Sequence, residues 1–139
     1  MAASTLRDAA ILLDAGLLDD NFKQLQEIVD DKFLVDVITL FCKDGERIIG
    51  ELAKQLEKTC VDFNKTVDFV HQLRGSSATV GARRVNNNCN QLHEFCREKS
   101  RDGCLKTLDA LKNNFYDLRS KFQTMIQLEQ QGQASYPKK

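Results

Sequence analysis

His71, Arg74 and Gly75 are the residues of this chain whose types and spacing could do chemistry. On a helix, positions three and four apart are surface neighbours, so these residues share one small patch. It combines an imidazole, a permanent cation and a position with no side chain. An imidazole, whose unperturbed pKa is about 6.5, is largely neutral at cell pH and keeps a lone pair on one ring nitrogen. That nitrogen can attack phosphorus and carry a phosphoryl group as a phosphoramidate, a bond labile enough to be handed on. Arg74 offers a planar fork suited to phosphate oxygens. Glycine within a helix costs ~1 kcal/mol relative to alanine, so Gly75 points to clearance for an approaching partner.

Around this trio lie supporting candidates. Ser76 and Ser77 are small; one could turn a hydroxyl toward a phosphate while the other lets adjacent helices pack closely. Gln72 and Gln91 could hydrogen-bond the His71 ring and fix its tautomer, although each is equally compatible with a plain surface amide. Asp68 is the one carboxylate three or four positions away that could orient the ring. Nothing here activates the imidazole as a hydrolase would.

The element that must position the patch is a helix opened by Asp62 and running to about Gly81. At roughly 100° per residue, Phe63, Thr66, Val67, Val70, Leu73, Ser77 and Val80 form its buried stripe. By the same count His71 lies about 120° from the stripe's centre, facing water or the rim of the core. Leu6 to Leu13 reads as a short helix ending near Gly16, and Asp19 or Asp20 caps a second one bearing Phe22, Leu25 and Ile28. Asp31 is the expected cap of a long third helix, in which Leu34, Val37, Ile38, Phe41, Ile48, Leu52 and Leu56 recur at steps of three, four and seven. The helix after His71's begins near Ala82 with Val85, Cys89, Leu92 and Cys96 as its seam, and stops in the polar cluster Lys99-Ser100-Arg101-Asp102-Gly103. The last carries Cys104, Leu108, Leu111, Phe115, Leu118, Phe122 and Met125 at alternating steps of four and three. The run Asn86-Asn87-Asn88 is expected to loosen the start of its helix. From about residue 130 the chain turns polar, and a frayed tail is expected.

No stretch alternates with period two, and proline occurs once, at Pro137. The fold class is all-α: an antiparallel four-helix bundle with two shorter N-terminal helices packed at one end. Residues 1–139 make one expected domain. Lys+Arg and Asp+Glu both number 20, so no excess charge favours nucleic acid. Apolar runs of only a few residues and an N-terminus without a basic-then-apolar pattern make membrane insertion or secretion unexpected. Five cysteines without a CxxC pair suit reduced thiols inside a cell. Cys89, His93 and Cys96 lie a turn apart, but a structural zinc site needs a fourth ligand and usually a CxxC-type pair. Core thiols beside a boundary imidazole are the expectation, with no metal and no bound cofactor.

His71-Gln72-Leu73-Arg74-Gly75-Ser76-Ser77, followed by Val80-Gly81-Ala82 and Arg84-Val85, resembles the HxxKGSS signature of histidine-containing phosphotransfer (HPt) proteins, most of all the plant type. Similarity continues through Phe95-Cys96, Gly103-Cys104-Leu105 and Leu128-Glu129-Gln130-Gln131, and back to Leu17-Leu18-Asp19 and Val37-Ile38-Thr39-Leu40-Phe41, so it spans nearly the whole chain. The resemblance implies a phosphorelay carrier rather than an enzyme with autokinase activity. His71 would take a phosphoryl group from a receiver-domain aspartate of a hybrid sensor histidine kinase and pass it to a response-regulator aspartate. Mg²⁺ would come only from the receiver. Cytokinin signalling, a cytoplasmic and nuclear location and a monomeric state are the further expectations. Lysine is usual where Arg74 stands, which keeps the charge but changes its reach; Ala78 and Thr79 stand where serines are common. Some plant relatives lack the histidine and act as inhibitors, whereas this chain retains it.

Two other readings compete. A histidine kinase dimerisation domain is also helical with a surface histidine, but there an acidic residue and then a proline normally follow; here Gln72 follows, and no Gly-rich nucleotide segment is present. A non-catalytic helical adaptor would use the same patch only to bind receiver domains.

Overall fold

The computed structural model describes residues 16–135, and side chains through residue 127. Among these described residues five helices follow one another: α1 (Asp20–Ile28), α2 (Asp31–Glu57), α3 (Phe63–Val80), α4 (Arg83–Arg97) and α5 (Arg101–Ser135). The helix expected over Leu6 to Leu13 lies outside the described residues.

Helices α2 to α5 pack in sequence, and α2 also packs on α5, closing an antiparallel four-membered bundle. The short α1 lies against α3 and α2 at one end. Every expected member of the α5 seam, from Cys104 to Met125, is buried. The core is knitted by aromatic pairs: Phe41 meets Phe115 at 5.7 Å between centroids, and Phe22 of α1 stacks on Phe122 at 6.0 Å. Phe22 therefore anchors α1 to the bundle through burial rather than through chain connectivity. On α2, the absent side chain of Gly45 accommodates the Phe115 ring, which an added Cβ would strike.

The helix ends follow the local chemistry with two corrections. Asp30, not Asp31, caps α2, its carboxylate accepting from the Phe33 N–H at 2.8 Å. Arg101, Asp102 and Gly103 belong to α5 rather than to the preceding turn. Ser100 caps that helix by accepting from the Gly103 N–H at 3.1 Å, and the Phe95 ring fills the space beside Gly103. Tertiary packing thus keeps a glycine helical where the sequence alone suggests a break. Lys99 ends α4 in the left-handed conformation at φ 57°. α5 itself continues through Ser135, past the point where its sequence turns polar. Among the described residues no helix is long and apolar enough to cross a membrane.

Candidate functional site

Asp62 opens α3, its side chain accepting from the Lys65 N–H at 3.1 Å. Gly81 closes it in the left-handed conformation at φ 72°. The Ala82 N–H then reaches back to the Ser77 carbonyl at 2.8 Å, a Schellman-type closure. Only glycine fits there: an added Cβ would meet the Phe22 backbone nitrogen at 2.5 Å. The same end is tied to α1, because Asp19 donates its N–H to the Gly81 carbonyl at 2.9 Å and Asn21 Nδ2 donates to Ala78 at 3.1 Å. Both ends of the helix are therefore held, and with them the angular position of everything between.

Thr66, Val70, Leu73, Ser77 and Val80 are buried, with Phe63 and Val67 half-buried, as the helical count requires. His71 faces solvent. An added Cβ at Gly75 would find nothing within 4 Å, so one turn beyond the imidazole the helix backbone is open to approach. Arg74 is half-buried, and no ion pair engages it among the described residues. Its charge is felt in the neighbouring α4: burial pushes the Cys89 thiol up to about 12, against a lowering pull from Arg74. A cation at the edge of the patch with no carboxylate partner suits an incoming phosphoryl group.

The supporting candidates separate into different tasks. Ser77 is fully buried; its hydroxyl donates to the Arg74 carbonyl at 2.9 Å and accepts from Asn86 Nδ2 at 3.2 Å. Ser76 donates to the Leu73 carbonyl at 3.2 Å within its own helix. Each hydroxyl is thus engaged by a helix carbonyl, as serine in a helix interior often is, rather than turned toward a phosphate. Gln72 accepts from Arg47 Nη2 of α2 through a long bond of 3.4 Å, and Gln91 accepts from Asn88 Nδ2 at 3.3 Å. Neither glutamine, nor Asp68, hydrogen-bonds the His71 ring among the described residues.

Four contributors escaped the sequence reading. His93 of α4 stacks on His71, ring centroids 5.2 Å apart and planes inclined by 26°. The register of the hairpin carried that signal: His71 lies ten residues before Gly81 and His93 twelve after it, so the two fall side by side once the helices fold back. Arg47 brings a second cation to the rim from α2. Asn86 does the opposite of loosening its helix, because Nδ2 also donates to the Arg74 carbonyl at 3.0 Å and pins α4 to α3. Asn88 likewise accepts from Asn114 Nδ2 of α5 at 2.8 Å. The Cys89, His93 and Cys96 set disperses: Cys96 Sγ faces Cys104 Sγ at 3.7 Å, whereas His93 turns to His71.

An exposed imidazole beside an unpaired guanidinium and a bare stretch of helix is equipped to receive and release a phosphoryl group, with little else of its own. The Hpt domain family model matches residues 36–121, more than half the chain and all of the patch. The chain belongs to the HPt family. It is 62% identical over 126 residues to histidine-containing phosphotransfer protein 1 of Oryza sativa subsp. japonica, covering 88% of this chain and 86% of that one. Against protein 2 of the same plant, identity is 52% over 147 residues, covering 99% of both. An X-ray structure of a histidine-containing phosphotransfer protein from rice superposes with a TM-score of 0.88 at 50% identity, covering 95% of this chain and 98% of that one. The all-helical bundle and the plant-type resemblance read from the sequence both hold. As an HPt protein the chain is a phosphorelay carrier, of a family whose members pair with receiver domains.

Proposed function

We propose that His71 is the phosphoacceptor and that the patch around it is where receiver domains dock. The observation that carries this reading is the solvent-facing His71 ring with open space at Gly75 one turn away. A ring nitrogen attacks the phosphorus of a receiver's aspartyl phosphate; the N–P bond forms as the acyl P–O bond breaks, and the carboxylate leaves. The other ring nitrogen keeps its proton, so the phosphorylated ring is cationic at that nitrogen and remains a good leaving group. Transfer to a response-regulator aspartate runs the same exchange in reverse. In-line phosphoryl transfer is mostly positioning and charge neutralisation. Arg74 contributes charge at the rim, and the receiver brings its Mg²⁺ and acidic pocket. This chain then needs no bound cofactor or metal and no ATP-dependent kinase activity.

The docking face extends onto α2. Val37, Leu40, Phe41, Asp44, Ser76, Thr79 and Val80 line a groove of about 150 Å³ between α2 and α3. Leu40 is 59% exposed and Phe33, on the same side of α2, 56%. Apolar side chains left in water next to an open backbone suit a partner's apolar face. The phosphoryl donor is the receiver domain of a hybrid sensor histidine kinase and the acceptor a response regulator. The pathway is cytokinin signalling, the carrier moving between cytoplasm and nucleus as a single-domain monomer; a homodimer through this face would cover the acceptor.

The test is incubation with a phosphorylated receiver domain. Wild type should gain an acid-labile, alkali-stable phosphoryl group, and His71→Gln should gain none while still binding the receiver. Label transferred to the His71→Gln protein would reject the assignment. Failure of the wild type to accept label while binding receivers would favour the adaptor reading, and label gained from ATP and Mg²⁺ alone would favour a kinase domain. Arg74→Ala should slow transfer more than it weakens receiver binding.

A further inference from the structure

The His71 side chain turns about two bonds, and no hydrogen bond constrains its ring among the described residues. What does meet the ring is His93. Its own placement is secured twice over: Asn86 ties the start of α4 to α3 at 3.0 Å, and Asn88 joins α4 to Asn114 of α5 at 2.8 Å. Leu92 and Cys96, flanking His93 along the helix, are buried in the core. His93 itself is half-buried, so its ring has less freedom than the exposed ring it touches.

Resting on the assignment of His71 as phosphoacceptor, we infer that His93 is a positioning residue for phosphoryl transfer, holding the His71 ring by its face so that a ring nitrogen is aimed outward. The geometry suits this task. Ring nitrogens carry their lone pairs in the ring plane, so a neighbour stacked on the face at 5.2 Å between centroids restrains rotation without covering the attacking atom. Its flat contact also leaves the other face and the outer edge to the partner. In-line attack depends on the alignment of the nucleophile with phosphorus, which is why a ring free to rotate would transfer more slowly without binding any less tightly.

The experiment compares His93→Ala and His93→Phe with wild type in single-turnover acceptance from a phosphorylated receiver at saturating concentration. His93→Ala should lower the rate constant about tenfold, while the receiver Kd moves less than about twofold. His93→Phe, which keeps an aromatic face but no ring nitrogen, should recover most of the lost rate. In NMR spectra the His71 ring protons should lose their ring-current shift in His93→Ala and retain one in His93→Phe. An unchanged rate in His93→Ala would overturn the inference. So would a His93→Phe protein as slow as His93→Ala, since the nitrogen rather than the face would then matter. A defect confined to Kd would overturn it too, by making His93 a docking contact. If even the wild type accepts no phosphoryl group, the assignment of His71 fails instead, a result distinct from any difference among the His93 variants.

Discussion

Gly45 and Gly75 both interrupt the interior of a helix, and their surroundings are opposite. The space left by Gly45 on α2 is taken by the Phe115 ring of α5, whereas a Cβ added at Gly75 on α3 would meet no other packed group within 4 Å among the described residues. One glycine is a socket for the protein's own core. The other leaves the helix surface bare. The same division separates the two sides of α3, where Thr66, Val70, Leu73, Ser77 and Val80 face the bundle and His71 faces out. A helix can therefore hold a reactive side chain open to partners because its opposite face is fully committed to packing.

The comparison is broken most directly at Gly75. A glutamine there projects into the approach path, and Gly75→Gln should cut phosphoryl acceptance roughly a hundredfold, about 2.7 kcal/mol, while urea unfolding shows a protein at least as stable as wild type. Efficient transfer through this variant would mean that partners do not come that close. Gly45→Val should do the reverse. Overpacking against Phe115 should cost about 2 kcal/mol in urea or thermal unfolding, and the folded fraction should still accept phosphate at a near-normal rate. The smallest effect is expected at Asn86→Ala, which removes a hydrogen-bond donor shared by the Arg74 carbonyl and the Ser77 hydroxyl. A loss of about 1 kcal/mol of stability is expected, read as a shift in the urea midpoint. A larger loss of transfer than of stability would show that the α3–α4 clamp also sets the geometry of the patch.

Much of this was legible in the chain itself. Asp62 and Gly81 bracket α3 because a carboxylate cap and a left-handed glycine are local devices that need no knowledge of the rest of the fold. The α5 seam was legible for a similar reason: its apolar spacing matches one face of a helix over its whole length. The readings that changed depend on neighbours distant in sequence. Gly103 looks like a turn residue until Phe95 packs over it. Asn86 and Asn88 look like weak helix formers until their amides meet Arg74, Ser77 and Asn114. Ser77 falls in the buried stripe by the helical count, but that its hydroxyl also accepts from Asn86 of α4 is decided by the fold.

From the linear order of residues alone came the helices, their buried stripes and the pairing of His71 with Arg74 and Gly75, since all of these follow from a repeat of 3.6 residues and from side chains within a turn of one another. Only the folded bundle decided which glycine is filled and which is open, where the Asn86 amide docks, and that a second imidazole lies against the first. Those outcomes depend on contacts between helices, where volume must be shared and each buried polar group must find a partner, and no single helix carries that information.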